Sequence, residues 1–251
     1  MLNKEKIERA AAEIKASSPL SVFTGAGISV ESGIPPFRGE DGLWSKYNPE
    51  DFSFQSFLER PKSSWELYRE IFYSLFEKTG PNLAHKIIAE WEKKGWLQSV
   101  ITQNIDGLHE EAGSRTVFKI HGTYKELICI ECGNIIPFKK SFLEQLPPSC
   151  DKCGGLLKPN FILFGENLPE KDYEKSLQAA RNSRVFLVIG TTGEVFPAGR
   201  IPEVASRNNS LIVEINTDKS SYTANITDIF LQGKATTVME KLNEIMLEND
   251  F

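Results

Sequence analysis

Short, mostly apolar runs along the chain stop abruptly at small or polar residues, with segments of helical period between them. The run 20–23 stops at Thr24-Gly25-Ala26-Gly27 and 99–101 at Thr102-Gln103-Asn104. The run 117–120 stops at His121-Gly122, 185–189 at Gly190-Thr191-Thr192, and 211–215 at Asn216. Runs this short and this apolar predict strands buried on both faces. Residues 81–95 predict a helix: Asn82 caps it, Leu83, Ile87, Ile88 and Trp91 share a face, and Gly95 stops it. Residues 1–16 predict an amphipathic helix through Ile7, Ala10, Ala11 and Ile14. Buried strands alternating with helices predict an α/β fold with a doubly wound, Rossmann-like parallel sheet. In such a sheet ligands sit beyond the carboxyl ends of the strands, where these five segments gather.

Two stretches break the pattern. Residues 33–81 are rich in aromatics, among them Phe37, Trp44, Phe52, Trp65, Tyr68 and Phe76, and predict a helical cap. Residues 125–158 hold all four cysteines, three prolines and a Gly154-Gly155 pair without a long periodic run, so something other than an apolar core holds them. The expected organisation is a Rossmann-like domain of residues 1–33, 81–124 and 159–251, a cap of 34–80 and a smaller insert of 125–158.

The composition is that of an ordinary globular protein, with 251 residues, 40% hydrophobic and 25% charged. Twenty-nine basic against 34 acidic residues give a net charge of -5, which argues against a general binder of nucleic-acid backbones. The chain start lacks the apolar centre of a signal peptide, and no apolar run nears the roughly 20 residues of a membrane span. A cytoplasmic protein without direct nucleic-acid or membrane contacts is expected.

The cysteine spacing is the most specific chemical signal. Cys129-x-x-Cys132 and Cys150-x-x-Cys153, 17 residues apart, match two knuckles that supply four thiolates to one Zn2+. Four thiolates leave no open position, so the zinc would be structural. Two disulfides, or four unrelated thiols, are the alternatives. Gly25-Ala26-Gly27 after an apolar run permits close approach to a pyrophosphate. The third glycine of a dinucleotide fingerprint is absent, because Val30 stands there. On these residues alone an ordinary tight turn and a nucleotide site fit equally.

The continuation through Ile34-Pro35-Pro36-Phe37-Arg38-Gly39 closely resembles the nucleotide loop of the sirtuins, the NAD-dependent protein lysine deacylases. Residues 102–109, His121-Gly122, the cysteine knuckles, Phe164-Gly165-Glu166, Gly190-Thr191-Thr192 and Glu214-Ile215-Asn216 follow in that family's order. The resemblance spans residues 5 to 245 or so and implies NAD as co-substrate and an acylated lysine in a protein or peptide as partner. The implied products are free lysine, nicotinamide and O-acyl-ADP-ribose.

The chain has three histidines. His85 and His109 sit at predicted helices and suit capping or packing. His121 ends an apolar run on the expected ligand edge, where a neutral imidazole can serve as a general base; the resemblance makes it the catalytic base. Gln103, Asn104 and Asp106 suit turn chemistry as well as a ribose and a carboxamide. The resemblance places Asn104 and Asp106 at the nicotinamide and its ribose, as catalytic residues, with Gln103 on the ribose. It further implies NAD contacts at Gly25, Ala26, Gly27, Ser32, Pro36, Phe37, Arg38, Ile105, Gly190, Thr191, Thr192, Asn216 and Ala235. It implies substrate contacts at Tyr68, Ile162, Leu163, Phe164, Gly165, Glu166 and Val195, in a strand-addition mode.

Leu163 replaces an aromatic residue common in that family, and Thr192 a serine. Members that remove succinyl groups carry an arginine three residues after the tyrosine that matches Tyr68; here that position is Ile71. Arg69 comes two residues earlier, about 200° away on an α-helix. Uncharged acyl groups, acetyl or longer, are therefore expected. The rival readings are an ADP-ribosyltransferase or NAD hydrolase on the same fold, and a non-enzymatic NAD or ADP-ribose sensor or zinc-ribbon adaptor.

Overall fold

The computed structural model describes residues 3–39 and 42–248. Among them a six-stranded, all-parallel sheet runs β3-β2-β1-β7-β8-β9, formed by β1 (Leu20–Thr24), β2 (Leu97–Thr102), β3 (Val117–Lys119), β7 (Val185–Ile189), β8 (Leu211–Asn216) and β9 (Ile229–Gln232). Every residue of β1 and β7 is buried, as a sheet covered on both faces requires. The few polar residues inside are paired: Ser21 Oγ lies 3.1 Å from Ser99 Oγ, and Thr24 Oγ1 donates to Thr102 Oγ1 at 2.9 Å. Helices Lys4–Ala16, Leu83–Lys93 and Ala235–Glu248 share one apolar cluster with the sheet. Helices Glu170–Asn182 and Ile201–Arg207 contribute to a second cluster with it. The Leu83–Lys93 helix starts as expected, with Asn82 Oδ1 accepting from Ala84 N and His85 N.

The strand order places β1 between β2 and β7, so the chain reverses its winding there and a crevice opens at the strands' carboxyl ends. Five of these strands coincide with the apolar runs of the sequence. The sixth, β9, has in Ile229-Phe230-Leu231 only a very short signal before Gln232-Gly233.

A second sheet, antiparallel and ordered β5-β4-β6, is built from β4 (Gly122–Cys129), β5 (Ile135–Pro137) and β6 (Leu157–Phe161). The aromatic cap and this sheet share one apolar core, in which Phe57, Trp65 and Tyr68 meet Leu127, Leu157 and Phe161. Trp65 Nε1 donates to Leu157 O at 2.9 Å. Stretches separate in sequence thus form one lobe. Within the cap a π-helical turn, Arg69–Tyr73, interrupts the helix begun at Pro61–Tyr68, where the sequence predicts plain α-helical spacing. The segment 161–166, expected to pair with the substrate by strand addition, leaves the sheet at Phe161, bridges Ser53 through Phe164 and turns at Gly165.

Candidate active site

The loops beyond β1, β2, β7 and β8 form one hydrogen-bonded rim. After β1 the chain turns at Gly25 into a 3₁₀ segment, Ala26–Ser32. Gly27 N donates to Gly190 O at 2.8 Å, and a Cβ on Gly27 would lie 2.6 Å from Gly190 Cα, so only glycine fits. Thr191 Oγ1 accepts from Gln103 Nε2 at 2.9 Å, and Thr191 O accepts from Asn216 Nδ2 at 3.0 Å.

Beneath the rim, Ser29, Asn104 and Asp106 are buried and linked. Ser29 Oγ donates to Asp106 Oδ2 at 2.7 Å, and Asn104 Nδ2 donates to Gly25 O and Ser29 Oγ, each at 3.2 Å. Leu108 N donates to Asp106 Oδ1 at 3.0 Å. Burial raises the Asp106 pKa, opposed by these bonds from Leu108 and Ser29. Both amide protons of Asn104 are engaged, which leaves Oδ1 as the acceptor it can offer a ligand. Asn104 and Asp106 line an apolar cavity of about 20 Å³ with Phe37, Ile71 and Phe76, room for about one water molecule.

His121 follows β3 and precedes β4, joining the two sheets. Its Nδ1 lies 2.9 Å from Gln103 O. A carbonyl only accepts, so Nδ1 carries the proton and Nε2 the lone pair of the neutral ring. Burial lowers the His121 pKa, opposed by the bond to Gln103, so the ring is neutral near pH 7. Ile162 N donates to His121 O at 2.9 Å, which ties the 161–166 turn to this residue.

The four cysteine sulfurs lie within 4.8 Å of one another, with Cys129–Cys153 at 3.5 Å and Cys132–Cys150 at 3.9 Å. A tetrahedral zinc with bonds of about 2.3 Å sets its sulfurs about 3.8 Å apart, so the donor set fits. All four are free thiols, and a disulfide would need about 2.05 Å. The knuckles are built alike: Gly133 N donates to Cys129 O at 2.9 Å and Gly154 N to Cys150 O at 2.8 Å, both glycines having positive φ.

The profile of the Sir2 family matches residues 25–197. The "NAD-dependent protein deacylase 2" of Pyrobaculum aerophilum is 44% identical over 227 residues, 89% of each chain. The chain belongs to the Sir2 family. A solved Sir2 homolog–NAD complex superposes with a TM-score of 0.88 at 39% identity, covering 96% of this chain and 94% of the other. A Sir2 variant solved with a deacetylated p53 peptide and 3'-O-acetyl ADP-ribose superposes with a TM-score of 0.89 at 30% identity, covering 95% and 97%.

In this Sir2 protein most of the residues expected to contact NAD come together in space. Gly25, Ala26, Gly27, Gln103, Asn104, Ile105, Asp106, Gly190, Thr191 and Asn216 gather at the rim and the cavity beneath it. Ser32 Oγ is buried without a hydrogen-bond partner among the described residues, an orphaned polar atom of the kind a ligand satisfies. Pro36 and Phe37 belong to the loop beside the cavity, where Phe37 packs on Trp44 with ring centroids 5.3 Å apart. Arg38 pairs with Glu194 at 3.2 Å across exposed surface. Thr192 is exposed, Val195 partly buried, and Ala235 buried at the start of its helix.

The expected substrate residues are spread more widely. Phe164 and Gly165 are exposed, Ile162 is partly buried and Leu163 is buried. Tyr68 is fully buried among Phe52, Phe57, Trp65 and Phe161 and is absent from the cavity wall. Glu166 turns inward onto Lys158. Ile71 lines the cavity beside Asn104, whereas Arg69 lines a separate outer cleft with Tyr73 and Tyr124. Two residues of the site carry no sequence signal, Ser29 and Lys158. Ser29 lies in the segment between Gly27 and Gly33, and nothing in the sequence marks it as the donor to Asp106.

Proposed function

We propose that this protein removes uncharged acyl groups from protein lysines with NAD as co-substrate, releasing nicotinamide, O-acyl-ADP-ribose and free lysine. The observation that carries this reading is His121 held through Nδ1 on Gln103 O, with Nε2 left as a base, on the loop whose next residue is Asn104. A binding module has no need of such a base, which disfavours the sensor and adaptor readings. The solved Sir2 complexes with NAD and with acetyl ADP-ribose add support.

NAD, when bound, supplies a ribose carbon whose bond to nicotinamide is exchanged for one to the acyl oxygen. The chain's own residues do the rest. Asn104 Oδ1 accepts from the carboxamide amine, and Asp106, fixed by Ser29 and Leu108, keeps its carboxylate at the nicotinamide end. Gln103 serves the ribose. Gly25, Ala26, Gly27, Ser32, Gly190, Thr191, Thr192, Asn216 and Ala235 serve the diphosphate and the adenosine half, and Arg38 supports the phosphates. His121 Nε2 takes the proton from a ribose hydroxyl. Phe37 would cover the reacting ribose and keep water away until the acyl oxygen has replaced nicotinamide, and one water is consumed afterwards as the lysine amine leaves and O-acyl-ADP-ribose forms. A nicotinamide ring exceeds the present cavity, so the loop carrying Phe37 moves outward to admit it. The acylated lysine enters beside the 161–166 turn and Val195, and zinc on Cys129, Cys132, Cys150 and Cys153 is structural.

Among the described residues no helix is long and apolar enough to cross a membrane. We place the protein in the cytoplasm because a reducing compartment keeps clustered thiols available to a metal.

The test incubates the protein with NAD and acetyl, butyryl, myristoyl or succinyl lysine peptides and identifies products by mass spectrometry. Free lysine peptide with O-acyl-ADP-ribose is expected. ADP-ribosylated protein or free ADP-ribose alone would replace the reading with the transferase or hydrolase, and unconsumed NAD with the sensor.

A further inference from the structure

After β6 ends at Phe161, the chain turns back through Ile162, Leu163, Phe164 and Gly165 to Glu166. Lys158, on β6, holds this turn from the inside. Its side chain is 4% exposed, and Nζ pairs with Glu166 Oε2 at 3.0 Å. The same ammonium donates to Phe161 O at 2.6 Å and to Pro159 O at 3.0 Å, so three acceptors meet its three protons. Glu166 Oε2 also accepts from Leu163 N at 2.8 Å, and Glu166 N donates to Leu163 O at 3.0 Å. The turn's other side is stitched to the site and to the cap. Ile162 N bonds His121 O at 2.9 Å, while Phe164 N donates to Phe52 O at 3.0 Å and Phe54 N to Phe164 O at 2.9 Å.

A buried ion pair is a poor device for stability, because desolvation offsets its attraction and an apolar pair of like volume often serves as well. Here it acts on geometry. Among the described residues every side-chain hydrogen bond of the pair falls between residues 158 and 166, and the pair grips the turn's backbone at Phe161 O and Leu163 N. We propose that Lys158 and Glu166 are positioning residues, which set the 161–166 turn to receive the acyl-lysine backbone and steady the His121 backbone through Ile162. This rests on the deacylase reading above. Glu166 then acts through Leu163 and does not touch the substrate.

The test separates positioning from simple damage. Lys158→Met and Glu166→Gln each raise KM for an acetyl-lysine peptide about tenfold while KM for NAD stays within about twofold. Lys158→Arg, which keeps charge and donors, recovers most of the loss. The double variant Lys158→Met/Glu166→Gln leaves no lone buried charge and melts near wild type, yet keeps the raised peptide KM. Equal rises in both KM values, or a peptide KM that none of the variants alters, overturn the proposal.

Amide hydrogen exchange over residues 162–166, measured without NAD, reads the same positioning without turnover. Exchange is faster in Lys158→Met and in the double variant and near wild type in Lys158→Arg; unchanged exchange in the first two also overturns the proposal. A wild-type protein that deacylates no peptide defeats the deacylase reading instead, and the exchange result still decides the role of the pair.

Discussion

His121 Nδ1 and the Gln103 carbonyl oxygen lie 2.9 Å apart, and that bond fixes which imidazole nitrogen keeps a lone pair. Burial holds the pKa of the ring below its ordinary 6.5. The base works only when neutral, and a lowered pKa keeps it neutral further into acid. The acid limb of kcat/KM is therefore expected below pH 6.5, and a limb above it contradicts the assignment. His121→Ala is expected to lower turnover by about 10²–10⁴-fold, with NAD affinity by calorimetry near wild type.

Ser29 donates to Asp106, whose carboxylate is almost wholly removed from water. Ser29→Ala takes away one of its two protein donors, and a buried acceptor that loses a partner costs about 1–3 kcal/mol. Urea unfolding should register that loss. Because Asn104 Nδ2 also leans on Ser29 Oγ, KM for NAD should rise as well. A variant that is less stable yet binds NAD as before would separate the two effects and remove Ser29 from the site.

Five of the six parallel strands were legible: β1, β2, β7 and β8 are largely buried and so near-continuously apolar, and the half-buried edge strand β3 still carries Val117-Phe118 ahead of Ile120; His121 was legible because that last run ends on it. The second lobe was not legible as a unit, since its unity rests on contacts such as Trp65–Leu157, 92 residues apart, which local periodicity cannot register. Nor was the π-helical turn, because Phe72, Tyr73 and Phe76 pack alike against a core that the spacing alone does not describe. Lys158, and the inward role of Glu166, which the sequence suggests only as a substrate contact, were illegible for a different reason. Charge predicts exposure, and only the folded turn reveals that these two charges satisfy each other inside.

His85 and His109 are buried with ring centroids 4.8 Å apart. Asn82 Oδ1 holds His85 Nδ1 at 3.0 Å, and Thr24 Oγ1 holds His109 Nε2 at 3.0 Å; His85 Nε2 and His109 Nδ1 have no partner among the described residues. Burial lowers the His85 pKa to about 4 and, together with His85 nearby, pushes that of His109 well down. The unfolded chain thus binds protons from pH 6.5 downward while the folded state does not. Stability should fall as pH drops from 6.5 toward about 4, by up to about 1.4 kcal/mol per pH unit for each histidine. Urea titrations across that window should show a smaller acid dependence in His85→Asn, and an equal dependence would place the titration elsewhere.

Ile71 stands in the cavity wall beside Asn104, and Arg69 lines the outer cleft instead. A succinyl carboxylate brought toward Ile71 would meet an apolar wall without a cationic partner, and an unpaired buried charge is strongly unfavourable. Succinyl-peptide turnover should be at least about 100-fold slower than acetyl-peptide turnover. Comparable rates by mass spectrometry would show that another cation reaches the acyl end.

The zinc knuckles bear on catalysis through the two strands they clamp. Cys129 closes β4, which begins immediately after His121, and Cys153 lies four residues before β6, which ends where the substrate turn begins. Metal removal should loosen both supports of the site together and leave the six-stranded sheet, with its separate apolar clusters, in place. One zinc per chain is expected by elemental analysis. Chelation should abolish deacylation while most far-UV ellipticity survives, and the same chelator should act faster at lower pH because thiolate ligands must bind protons to leave the metal. Cys129→Ser or Cys150→Ser should reproduce the effect without a chelator. A metal-free protein with undiminished turnover would mean that the shared core of cap and lobe, anchored by Trp65 on Leu157, holds His121 and the substrate turn without the metal.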